Sequence, residues 1–116
     1  MLIFKIVHRA EWDAAVKAGR YDGSAHDTRD GFLHFSTAKQ LMGTLEKHYA
    51  GADDLILVAV EDDTLGPVLK WETSRGGELF PHLYAPLAMA HMRWSADIAR
   101  GCDGRFLLPL DTGETP

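Results

Sequence analysis

A single cysteine, Cys102, excludes an internal disulfide and any multi-cysteine metal cluster. Long apolar runs are equally scarce. The longest wholly apolar stretch, residues 55–60, falls well short of the roughly 20 residues that span a bilayer. Lys5, His8 and Arg9 interrupt the apolar opening, so a secretory leader is not expected there and a cytoplasmic location is. Positive charge is in deficit: 12 Lys and Arg stand against 17 Asp and Glu, a formal −5. That balance excludes a protein that coats duplex nucleic acid with a basic face. It leaves room for a local anion site, because Asp53, Asp54, Glu61, Asp62 and Asp63 alone equal the deficit. Repeats, low-complexity tracts, a P-loop, a Gly-x-Gly-x-x-Gly turn and a Gly-x-Ser-x-Gly elbow are also missing.

What is present reads as one globular domain over residues 1–110 with a disordered tail at 111–116. The 116 residues are 46% hydrophobic and 25% charged, an ordinary balance for a chain that buries its own core. Residues 2–7 read as a strand. A helix follows over 8–18, with Trp12, Ala15 and Val16 at helical spacing and Gly19 at its end. Residues 20–30, rich in Gly, Asp, Ser and Thr, read as a loop. A short strand at 31–36 leads into Thr37-Ala38-Lys39-Gln40, a capping-box pattern for a helix that ends near Gly51. Its buried stripe would be Leu41, Leu45, His48 and Tyr49. Residues 55–60 lack polar alternation and read as a central strand covered on both faces. Strands are also expected at 68–72, where Leu69 and Trp71 alternate with Lys70 and Glu72, near 78–84, at 87–94 and at 106–108. The expected fold class is α+β, with two main helices on a mixed, strongly twisted sheet.

Six histidines raise the question of a metal first. No two of them have the i, i+4 spacing of a helical zinc pair and there is no His-Glu-x-x-His, so no metal site is expected. His8, His26 and His48 read as surface or structural residues. His34 stands out by position: Phe32, His34 and Ser36 share one face of a strand that enters a helix, beside unpaired N–H groups. That setting suits a phosphate, a ribose hydroxyl or an oxyanion. A second cluster covers residues 72–84. Gly76 and Gly77 let the backbone turn near a ligand, Arg75 offers a planar fork for phosphate or carboxylate, and Pro81 holds Phe80 extended so that His82 and Tyr84 project together. Each cluster has a plainer reading as well, a capped half-exposed strand and a glycine turn before an edge strand. Cys102, beside Asp103, is a poor nucleophile because the carboxylate raises a thiol pKa. The run Glu61-Asp62-Asp63 reads as a solvated turn.

Asp30-Gly31-Phe32-Leu33-His34-Phe35-Ser36-Thr37 and Ser74-Arg75-Gly76-Gly77-Glu78-Leu79-Phe80-Pro81-His82-Leu83-Tyr84 together closely resemble the bacterial domain-of-unknown-function family 952. The resemblance extends over residues 2–109. It implies a distant kinship with the ADP-ribosyltransferase superfamily, which includes RNA 2′-phosphotransferases. The fold so implied is a split sheet with NAD or ADP-ribose in a cleft between its halves. Carried over, Lys5 takes the ribose-holding position of the first strand, and His34 with Ser36 the second-strand pattern. The superfamily usually has a His followed by Gly and Thr where Lys5 stands. No recognisable catalytic glutamate is present, Glu78 being a loose candidate, and that favours the phosphotransferase type over protein ADP-ribosylation.

The expected site thus combines His34 and His82 as catalytic groups with Lys5, Ser36, Arg75, Gly76 and Tyr84 as ligand-binding groups. Lys5 and Arg75 would neutralise pyrophosphate, His34 and Ser36 orient a ribose, Tyr84 stack on a ring and His82 donate a proton. NAD is a candidate substrate or ligand. A non-catalytic module for small anions and a protein-interaction module are the alternatives, and turnover itself is open.

Overall fold

A computed structural model describes residues 1–109. The chain runs β1 (Leu2–His8), α1 (Arg9–Ala18), β2 (Arg20–Tyr21), α2 (Ala25–Asp30), β3 (Leu33–His34), α3 (Leu41–His48) and β4 (Leu55–Glu61). It continues through β5 (Leu69–Thr73), β6 (Leu79–Leu83), β7 (Leu87–Ala88), β8 (Met92–Arg100) and β9 (Phe106–Leu107). The expected tail at 111–116 lies outside the described residues. No helix among the described residues is long and apolar enough to cross a membrane.

Four strands form one sheet in the order β1-β4-β8-β9, three form a second in the order β3-β6-β5, and β2 pairs with β7. Every pairing among the described residues is antiparallel, which corrects the expectation of a mixed sheet. The apolar run at 55–60 is covered on both faces without needing parallel neighbours. Leu55, Leu57 and Ala59 face one apolar cluster with Leu41 and Leu45 of α3, while Ile56, Val58 and Val60 face another with Trp12 and Ala15 of α1. Strand β1 alternates in the same way: Ile3 and Val7 join the α1 side, Phe4 and Ile6 the α3 side. Lys5 therefore points into the α1 face between two core residues. Among the described residues the two larger sheets are joined at one place, where Phe4 and Ser36 exchange backbone hydrogen bonds of 2.8 Å. Beyond Phe4 the outer edge of β1 parts from the second sheet, and the whole curls into a compact α+β domain with three helices.

Several local expectations change. Helix α2 occupies what read as loop, because Ser24 and Asp27 form a reciprocal capping box. Strand β2 adds a second element there. Helix α3 begins at Leu41 rather than Thr37. Residues 37–40 form a turn in which the Thr37 N–H donates to Gln40 Oε1 at 3.0 Å, so the glutamine half of the capping box exists without the hydroxyl half. His48 is exposed, leaving Leu41 and Leu45 as the buried stripe. Trp71 lies at the surface and Val16 on the outer face of α1. The strand expected at 87–94 is split by a turn at Met89–His91, and β8 runs on to Arg100. Gly19 does close α1, at φ 84°, donating to Ala15 O.

Leu57 is fully buried at the centre of this arrangement. Leu57→Ala is expected to cost about 2–5 kcal/mol, read as a lower urea midpoint with an unchanged slope.

Candidate functional site

Asp27 is the centre of the site. Its carboxylate is buried and accepts from three elements at once. Lys5 Nζ of β1 approaches Oδ2 at 2.9 Å and donates to Oδ1 at 3.1 Å. The Ser24 N–H donates to Oδ2 at 2.9 Å, closing the cap of α2. His34 of β3 donates its backbone N–H at 3.1 Å and contributes Nδ1 at 2.6 Å. Burial opposes ionisation of Asp27, yet the His34 hydrogen bond, the Lys5 charge and the Ser24 N–H outweigh it and hold the carboxyl well below its usual range. Burial also pulls the Lys5 ammonium below the ordinary amine range, with Asp27 opposing only in part. Lys5 makes a further bond of 3.0 Å to the His34 carbonyl. Its charge is therefore spent on Asp27 and on the backbone of His34, and it acts as a strut.

A cavity of about 380 Å³ opens where β1 and the second sheet diverge. Ligand pockets commonly hold roughly 300–1,000 Å³. Lys5, His34, Ser36, Arg75 and His82 all line it, whereas Gly76 and Tyr84 are not among its lining residues. Gly76 serves the turn before β6 at φ 69°. Tyr84 is exposed, and its hydroxyl donates to Glu72 Oε1 at 2.7 Å. The same oxygen lies 2.8 Å from His82 Nδ1. These bonds from Tyr84 and then His82 hold the Glu72 carboxyl below its ordinary range. Two histidines, each fixed at Nδ1 by a carboxylate, thus face one cavity with ring centres 5.7 Å apart. Phe32 stacks on His82 at 4.0 Å and packs against His34 at 4.6 Å, so both rings are held from behind.

The other wall comes from α3. Ser36 Oγ and Thr44 Oγ1 are 2.9 Å apart, and Arg75 donates to Thr44 Oγ1 at 3.3 Å and to Gln40 O at 3.4 Å. Arg75 also lies 4.9 Å over the Phe80 ring. Gly43 makes this possible, because a Cβ there would stand 3.0 Å from Arg75 Nη2. Ser36 therefore meets α3 within its body through Thr44, and the expected helix N-terminus beside His34 is replaced by the 37–40 turn.

His8, His26 and His48, read from the sequence as structural or surface residues, also line the cavity. Burial, and next the neighbouring His34 ring, hold the His26 imidazole below its ordinary range; burial, His26 and Arg75 do the same for His48. Burial likewise pushes the Tyr49 phenol up to about 12. Asp27, Asp30, Glu72 and Thr44 were not singled out from the sequence. The usable signals were Ser24-x-x-Asp27, a capping spacing inside an apparent loop, and the four-residue steps His26, Asp30, His34. Asp30 Oδ2 lies 2.8 Å from His34 Nε2. Glu78 is exposed and accepts from Gln40 Nε2 at 3.2 Å.

Fold and site define a small α+β protein with a histidine-walled cleft in a curled antiparallel sheet. The chain belongs to the family described as "Protein of unknown function (DUF952)", whose profile matches residues 6–95. It is similar to the crystal structure of protein CC0527 from Caulobacter crescentus, at 46% identity and TM-score 0.89 over 99% of this chain and 97% of that one. The solution NMR structure of CC0527 gives 46% identity and TM-score 0.81, over 99% and 96% of the two chains. No curated protein matches the chain.

Asp27→Asn leaves the buried Lys5 ammonium without its counter-charge and is expected to destabilise the protein by about 3–5 kcal/mol. Adding Lys5→Met is expected to recover part of that loss, and urea denaturation of the four cycle members measures it.

Proposed function

We propose that the cleft binds a phosphorylated nucleotide of the NAD and ADP-ribose class and that His82 moves a proton on it. The observation that carries this reading is the convergence of His34, Ser36, Arg75 and His82 on one cavity of ligand size. Among the described residues Arg75 makes only two hydrogen bonds, both long, which leaves most of its five donors for a phosphate. The Ser36 and Thr44 hydroxyls beside it suit ribose oxygens. The His82 ring is set by Glu72, which fixes its tautomer and leaves Nε2 for proton transfer. A cleft between the parts of a split sheet also agrees with the ADP-ribosyltransferase-like architecture that the sequence motifs imply. Glu11 is the only glutamate among the described cavity-lining residues, and it comes from α1. The basic lining therefore favours the 2′-phosphotransferase type, in which the acceptor is a phosphate, over protein ADP-ribosylation.

Calorimetry with NAD, ADP-ribose and a 2′-phosphorylated dinucleotide tests the reading. At least one is expected to bind, and Arg75→Ala to weaken it tenfold or more, about 1.4 kcal/mol. His82→Gln is expected to abolish turnover of the 2′-phosphorylated dinucleotide with NAD while retaining binding. Absence of binding to all three overturns the proposal. Binding without turnover in the unaltered protein favours a non-catalytic module.

A further inference from the structure

His26, Asp30 and His34 bring three ligand atoms within 4.8 Å of one another at the side of the cavity. His26 and Asp30 lie on successive turns of α2, and His34 returns on β3 to face them. The two imidazoles stack with centres 4.3 Å apart. Asp30 Oδ2 stands 2.8 Å from His34 Nε2 and 3.7 Å from His26 Nε2. In a tetrahedral zinc site with bonds near 2.0–2.1 Å, neighbouring ligand atoms are about 3.3 Å apart, and these two separations bracket that edge.

His34 Nδ1 is held at 2.6 Å by the buried carboxylate of Asp27. The ring is thereby turned so that Nε2 meets the Asp30 carboxylate at 2.8 Å, and an imidazole nitrogen and a carboxylate oxygen so placed form one edge of a coordination shell. A carboxylate behind the first nitrogen and a metal at the second is the arrangement by which proteins fix a ligating histidine.

We propose that His26 Nε2, Asp30 Oδ2 and His34 Nε2 form a binding site for a divalent first-row transition metal such as Zn²⁺. Two imidazoles and one carboxylate leave coordination positions open, and both imidazoles line the cavity. Nitrogen donors select against Mg²⁺ and Ca²⁺, which prefer all-oxygen shells. The exposed Arg29 guanidinium is the competitor, since it donates to His26 Nδ1 and lies 3.4 Å from Asp30 Oδ1. Metal binding at His26 Nε2 moves the ring proton to Nδ1 and displaces Arg29. The site does not depend on the nucleotide reading, and its test uses metal alone.

Titration of the metal-free protein with Zn²⁺, and with Co²⁺ as a spectroscopic probe, is expected to show one saturable site and a raised Tm. His26→Ala and Asp30→Asn, both at exposed positions, are expected to weaken binding tenfold or more without lowering the metal-free Tm. Arg29→Ala is expected to bind at least as tightly as the unaltered protein. Absence of saturable binding, an equal response to Mg²⁺, or affinity unchanged in both ligand variants overturns the proposal.

Discussion

The arrangement depends on one buried carboxylate. Asp27 is removed from water, and a charge in that position is tolerated only when it is paired and fully hydrogen-bonded. Satisfying it draws together the middle of β1 through Lys5, the start of α2 through Ser24, and β3 through His34. Lys5 of strand β1 lies 22 positions from Asp27, and apolar burial alone would not fix the separation of β1 from α2 and β3 to a fraction of an ångström. The ion pair does so, and in doing so it sets which nitrogen of His34 looks into the cavity.

The cavity exists because the sheet is not closed. Among the described residues Phe4 and Ser36 are the one backbone bridge between the four-stranded and three-stranded sheets, and past that point none of them pairs with the outer edge of β1. Side chains cover that edge instead of a strand: Tyr49 donates to the Ile6 carbonyl at 3.4 Å, and the histidines of α2 and α3 stand alongside. The overall acidity of the chain is placed elsewhere. Asp53 and Asp54 pair with Arg100 and Arg9, while Glu61 pairs with the amino terminus and Arg93. The five-acid excess therefore does not fall on the cleft, whose walls carry His26, His34, His48, His82 and Arg75.

Much of the framework was legible where one pattern dominated. The apolar run at 55–60 and the glycine after α1 each have a single physical reading. The strand face that places His34 and Ser36 opposite Leu33 and Phe35 was legible as well, because alternation follows from backbone geometry. Polar elements were harder. Helix α2 is short and has little apolar periodicity, so its residues read as loop, and with it Asp27, Asp30 and His26 were lost from the site. Thr37 looked like a cap because the pattern specifies residue types and not which side chain turns inward. Lys5 read as a free cation because nothing local reveals that Asp27, 22 positions away, occupies its ammonium. The partner of a buried charge is a tertiary fact.

The central claim is that Asp27 fixes the His34 ring. Long-range ¹H–¹⁵N correlation spectra of the imidazoles measure this directly, in the unaltered protein and in Asp27→Asn. A slowly exchanging proton on His34 Nδ1 is expected in the former and its loss in the latter. A His34 ring protonated only at Nε2, or one averaging between tautomers with Asp27 intact, would contradict it.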